Sequence, residues 1–128
     1  VELFLEGKRS ECLDAVERIF SRGQTTEKGA HTFEPTGIAL LFIGAILPRL
    51  RSLRRAHALR AEGGGPEQWM AAGLVQRPFL PRFERQLAAT NPRRIDRVLQ
   101  RLHAIDKSVK SGGDPAMLIE LLVMEHGQ

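Results

Sequence analysis

The chain has 128 residues, nineteen Lys and Arg against fifteen Asp and Glu, a net charge of +4, and one cysteine. That length supports a single domain with a real hydrophobic core and no need of disulfides or metals. The lone Cys12 excludes an internal disulfide and reads as a small buried hydrophobe in a reducing compartment. The mild positive balance is compatible with work near nucleic acid, but six Phe, one Trp and no Tyr give a single-strand binder few stacking platforms.

Helical signals dominate in chain order. Cys12, Val16, Ile19 and Phe20 make an apolar stripe across Lys8 to Arg22, and Gly23 is placed to cap its end. Residues 24–35 are polar, have no apolar period and read as a mobile loop. A long helix is expected from Thr36 or Gly37 to about Arg60, kinked or split at Pro48, with Leu50, Leu53 and His57 extending its apolar stripe. Its apolar run, Ile38 to Leu47, is too short for a membrane span and meets Pro48 and Arg49 at once. No charged and apolar leader opens the chain, so a soluble, cytoplasmic protein with no membrane partner is expected. The start at Val1 rather than Met suggests a domain excised from a longer polypeptide.

Glu62 to Gly65 ends the long helix, and Pro66 opens a short one that holds Trp69. Residues 77–81 link to a helix near Pro81 to Ala89, with Leu80, Phe83 and Leu87 turned inward. Asn91-Pro92 pairs a side chain able to cap free amides with a proline suited to the first helical position, and Asp114-Pro115 repeats the device. Between them Ile95, Val98, Leu99, Leu102, Ile105 and Val109 form one stripe, leaving Arg93, Arg97, Arg101 and Lys107 for the other side. After Ser111-Gly112-Gly113, the run AMLIELLVM (Ala116 to Met124) is apolar nearly all round, broken only by Glu120. A helix so apolar needs cover on most of its surface, from its own domain or from partners. The expectation is one all-α domain over residues 1–128, a compact bundle of about six helices.

Chemistry is sparse. His31, His57, His103 and His126 lack metal-ligand spacing, and His57 and His103 read as structural residues on or beside helical stripes. Gly63-Gly64-Gly65-Pro66 has no strand before it and no Lys-Ser/Thr pair after it, so it reads as a linker rather than a phosphate loop. No catalytic, metal or cofactor residues are assigned. Two surfaces have functional potential. Leu118, Leu121, Leu122 and Met124 of the last helix are candidates for a subunit interface. Arg49, Arg51, Arg54, Arg55, Arg97 and Arg101 crowd two segments and are candidates for nucleic-acid contact, against the simpler reading of solvated helix faces.

The succession Ile105-Asp106-Lys107-Ser108-Val109-Lys110-Ser111-Gly112, then Asp114-Pro115 and AMLIELLVM, resembles the end of the bacterial DNA polymerase III delta subunit. EGKRSECLDAVERIFSRG resembles the helix that opens that family's C-terminal domain. Pro35 to Leu59 is similar to its Leu- and Arg-rich helix, and Trp69 to Arg85 to its short helix and link. The likeness runs from about Leu3 to Glu125; residues 24–34 are longer than the connection expected there. The resemblance implies the helical collar domain of a clamp-loader subunit, non-catalytic and without cofactor, which oligomerises with the other loader subunits (gamma/tau and delta-prime type) during DNA replication. The sliding clamp and primed DNA would be met through the full-length protein. The alternative is a helical DNA-binding module that uses the arginine-rich faces.

Overall fold

A computed structural model describes residues 2–22, 24–25, 31–32 and 34–126. The described residues form an all-α bundle. Its helices are α1 (Glu2–Leu5), α2 (Arg9–Arg22), α3 (Pro35–Ala61), α4 (Pro66–Ala71), α5 (Leu80–Ala88), α6 (Pro92–Lys110) and α7 (Pro115–His126), with a 3-10 turn at Arg77–Phe79 before α5. Apart from the single turn α1, that is the expected set of six. Two strands of two residues, β1 (Gln24–Thr25) and β2 (His31–Thr32), pair antiparallel, Gln24 with Thr32 and Thr25 with His31. The stretch read as a loop thus carries a two-rung ladder, too short to leave an alternating pattern in sequence. Gly23, expected to cap α2, lies outside the described residues, as do residues 26–30 and 33 of that stretch.

The core is a continuous set of apolar side chains, mostly aliphatic, drawn from most helices. α3 supplies its axis: Ile38, Ala39, Ile43, Ile46, Leu50, Leu53 and Ala56 recur at three- and four-residue steps and are all buried. Pro48 lies between two of these steps, on the exposed side, and the helix runs through it without a break. The expected split does not occur, because water can reach the outward face where the proline removes a backbone donor. By length and composition alone α3 is the one described helix able to cross a bilayer, which by itself is weak evidence of doing so.

α3, α6 and α7 pack against one another, and α2 packs against α7. Ile95, Val98, Leu102, Ile105 and Val109 of α6 are buried, with Leu99 half-buried beside them, as the stripe foretells. α1 is fixed by an edge-to-face contact of Phe4 with Phe42, ring centroids 6.1 Å apart, and by the pair Glu6–Arg85 at 3.1 Å. α4 and α5 close the second half of α3, with Trp69 on α4 packed 5.8 Å from Phe83 on α5.

Local signals set the helix ends. Asn91 Oδ1 accepts from the Arg94 amide at 2.9 Å, and Asp114 Oδ1 accepts from the Met117 amide at 3.3 Å. At the other end of α6, Gly112 has φ +98°, its amide donates to the Val109 carbonyl, and the Gly113 amide donates to the Ser108 carbonyl at 2.8 Å. Gly63 and Gly64 end α3 in the same way, on the carbonyls of Arg60 and Leu59. The positive φ explains why both breaks seen in sequence begin with glycine at that position.

Candidate functional site: a basic-rimmed groove and an apolar ridge

α3 and α6 meet along their cores and diverge above them, leaving a groove of about 770 Å³. Residues 40, 43, 44, 47, 51 and 54 fall on one face of α3, and 99, 103, 106 and 110 on one face of α6, so both helices present a continuous strip to the gap. Its floor is aliphatic: Leu40, Ile43, Leu47, Leu99 and Leu102. Arg51, Arg54, His103, Asp106 and Lys110 stand above that floor. Lys110 pairs with Asp106 at 3.1 Å and Arg54 with Asp96 at 3.5 Å; Arg51 has no ion pair among the described residues. These are solvated pairs of small energetic weight. Gly44 is in the α3 wall, and a Cβ built on it would meet no atom within 4 Å.

The second surface is α7. Ile119, Leu122 and Val123 are buried, while Met117 and Met124 are 52 % and 54 % exposed and Leu121 36 %. Met117, Leu121 and Met124, spaced i, i+4 and i+7, stand in one ridge. Glu120 flanks it on one side and Glu125 on the other. Glu125 pairs with Arg101 at 3.4 Å, whereas Glu120 has no ion pair among the described residues. Of the four interface candidates, Leu121 and Met124 are therefore on the surface and Leu118 is half-buried against the core. Leu122, at 0 % exposure, is a correction: it belongs to the core and has no side chain to offer a partner. Met117 was missed, although its spacing from Leu121 was legible.

The six arginines do not share one face. Arg51 and Arg54 border the groove, with Arg55 exposed beside them. Arg49, about 140–160° round the same helix from Arg54 and Arg51, turns to α5 and donates to Gln86 Oε1 at 3.3 Å, beside a smaller cavity of about 400 Å³. Arg97 and Arg101 lie on the α7 side of α6, away from the groove. The helical period, invisible in a count of nearby arginines, parts them into three places.

His57 is structural, as expected. Its Nε2 is 3.1 Å from Thr90 Oγ1, whose single proton is directed to the carbonyls of Gln86 and Leu87 at 3.1 and 3.2 Å, so Nε2 carries the hydrogen and donates. His103 instead stands exposed at the groove. His126 is half-buried, and its carbonyl accepts from Arg94 Nη2. Burial pushes the Cys12 thiol above its ordinary value, consistent with an inert core cysteine. Among the described residues no three His, Cys, Asp or Glu side chains gather as metal ligands.

Burial, reinforced by Arg60, holds His57 below the ordinary imidazole value of 6.5. Burial does the same to His126, with Arg94, Arg97 and Arg101 adding to it and Glu125 opposing. A depressed folded-state value means that the stability contribution is complete above 6.5 and is lost as pH falls through the folded value. The melting temperature is thus expected to fall on acidification from neutral pH, and the His57→Gln variant should show a shallower fall. An unchanged slope in that variant would refute the assignment.

No family model, curated protein or solved structure matches the chain. Function has therefore to be argued from the ridge, the groove and the order of the segments.

Proposed function

We propose that this chain is a non-catalytic assembly domain, the helical collar of a DNA polymerase III delta-type clamp-loader subunit, which joins neighbouring loader subunits in the cytoplasm during DNA replication. The observation that carries the reading is the exposed ridge Met117, Leu121 and Met124 on a closing helix whose other face is core. Apolar side chains left outside a small domain, in register along one helix, are what a protein–protein contact uses. The ridge falls within the segment that, with Asp106, Lys110, Gly112 and Asp114-Pro115, resembles the delta family. The all-α bundle is the architecture that the resemblance implies. Gamma/tau and delta-prime type subunits are the partners, and the sliding clamp and primed DNA are reached through the full-length protein.

The DNA-binding alternative has less support. Its six arginines occupy three surfaces, and two of them, Arg54 and Arg101, are paired with Asp96 and Glu125. The deciding experiment is the triple variant Met117→Glu, Leu121→Glu and Met124→Glu, titrated with purified gamma/tau and delta-prime type subunits in a size-exclusion and calorimetric assay. Loss of binding by at least about tenfold with unchanged helical circular dichroism is expected. Full binding by the folded variant would overturn the proposal. Retention of the wild-type domain on primed duplex, falling steeply with salt, would favour the alternative.

A further inference from the structure

We infer that the cavity between α3 and α5 is a binding site for an aromatic carboxylic acid, its carboxylate held by Arg49 and Arg82 and its ring laid against Phe79. The site is separate from the α7 ridge and does not depend on the collar reading. Local signals build it. α4 ends on Gly73, at φ +76°, where the Leu74 amide donates to the Trp69 carbonyl at 3.0 Å. The backbone then leaves extended, with Gln76 at φ −96° and ψ 150°, and the 3-10 turn at Arg77–Phe79 carries it into α5. Between this link, α3 and α5 lies the space of about 400 Å³, a size that suits a small organic molecule. Phe79, Arg82, Phe83 and Gln86 recur at three- and four-residue steps, so one face of α5 and its leading turn fronts the cavity. A face that only packs on a core carries apolar side chains at such steps; this one carries a guanidinium and a carboxamide as well.

Gln86 is 1 % exposed and is the one buried polar residue among the described residues. Burying an amide costs stability unless it is hydrogen-bonded, and Gln86 Oε1 accepts from Arg49 Nη2 at 3.3 Å. A neutral amide orients the guanidinium without cancelling its charge, and a guanidinium has five N–H groups to share. Arg82 lines the same cavity from α5, and no Asp or Glu is among the lining residues. Two guanidinium groups around a space without a carboxylate select an anion, and their planar forks match the two oxygens of a carboxylate. The remaining walls set the body of the ligand. Phe79 is 53 % exposed, the one exposed aromatic among the described residues. Phe83 is buried, with the Trp69 ring 5.8 Å from it, and half-buried Leu74 and Val75 complete the apolar lining. A ligand ring in offset or edge-on contact with Phe79 covers a side chain that the free domain leaves in water.

Calorimetric titration of the chain with N-acetyl-L-phenylalanine, against its carboxamide as the uncharged control, tests this. The acid is expected to bind saturably and at least about tenfold more tightly than the carboxamide. Arg49→Ala and Phe79→Ala should each weaken the acid at least about tenfold. Gln86→Glu keeps the shape and the hydrogen bond but sets a carboxylate against Arg49, so the preference for acid over carboxamide should disappear. That readout separates a residue that positions Arg49 from one that merely packs. Melting curves identify any variant that fails to fold; Arg82→Ala, at an exposed position, then replaces Arg49→Ala. A peptide ending in phenylalanine distinguishes the source of the acid. Binding at least about tenfold tighter than the small acid assigns the site to a partner's C-terminus, and equal or weaker binding assigns it to a free small acid; both uphold the inference. No saturable binding of the acid, equal affinity for acid and carboxamide, or acid binding that survives in the folded arginine and Phe79 variants overturns it. Tighter binding of thymidine monophosphate, lost in Phe79→Ala, also overturns it by giving the cavity to a nucleotide. None of these results touches the α7 ridge, so the collar reading is tested separately by its own variant.

Discussion

Leu122→Ala is expected to destabilise the domain by about 3–5 kcal/mol, whereas Met124→Ser, two residues along the same helix, should stay within about 0.5 kcal/mol of wild type. Leu122 is fully enclosed, in a core that draws on α2, α3, α6 and α7. Truncation there removes transfer energy and leaves a cavity that the surrounding helices cannot wholly close. Met124 is more than half exposed, and a shorter polar side chain loses little contact in the monomer. Urea denaturation of both variants, read by midpoint at constant slope, checks the contrast. Similar losses in the two would mean that α7 is seated differently. Equal and small losses would mean that the bundle is not closed by this helix. The same pair separates stability from assembly: Met124→Ser should weaken partner binding while leaving the fold, and Leu122→Ala should do the reverse.

That contrast could not be read from the chain. In α6, apolar residues alternate with arginines at helical steps, so the buried stripe from Ile95 to Val109 is written in the sequence. In α7 nearly every residue is apolar, so periodicity distinguishes no face, and Leu121 and Leu122 look alike until neighbouring helices choose between them. The helix ends were legible because their causes are local: Asn91, Asp114, Gly63 and Gly112 act on amides and carbonyls within a few residues. The groove was not. It joins residues some sixty positions apart, and its defining feature, empty space beside Gly44, leaves no mark in composition. The arginines were visible as two crowded segments, but their division among groove, α5 and α7 depends on how α3 and α6 are rotated against their neighbours.

Pro48→Ala is expected to stabilise the domain by about 1–3 kcal/mol and Gly44→Ala by about 0.5–1 kcal/mol, since both residues disfavour a helix interior and both sit within one unbroken helix. Neither replacement meets an obstacle: both positions are exposed, and a Cβ at Gly44 has open space around it. Pro48→Ala also returns an amide to the Gly44 carbonyl, so the two gains share one hydrogen-bonded turn and their sum need not be simple. The double variant should therefore raise the urea midpoint clearly above either single change. A pair of helix breakers four residues apart, beside a groove and outside the core, is costly to folding and has no packing purpose in the monomer. Local conflict of this kind marks a position kept for something other than stability. A midpoint left unchanged or lowered in both single variants would instead show that neither residue costs α3 anything at its exposed side.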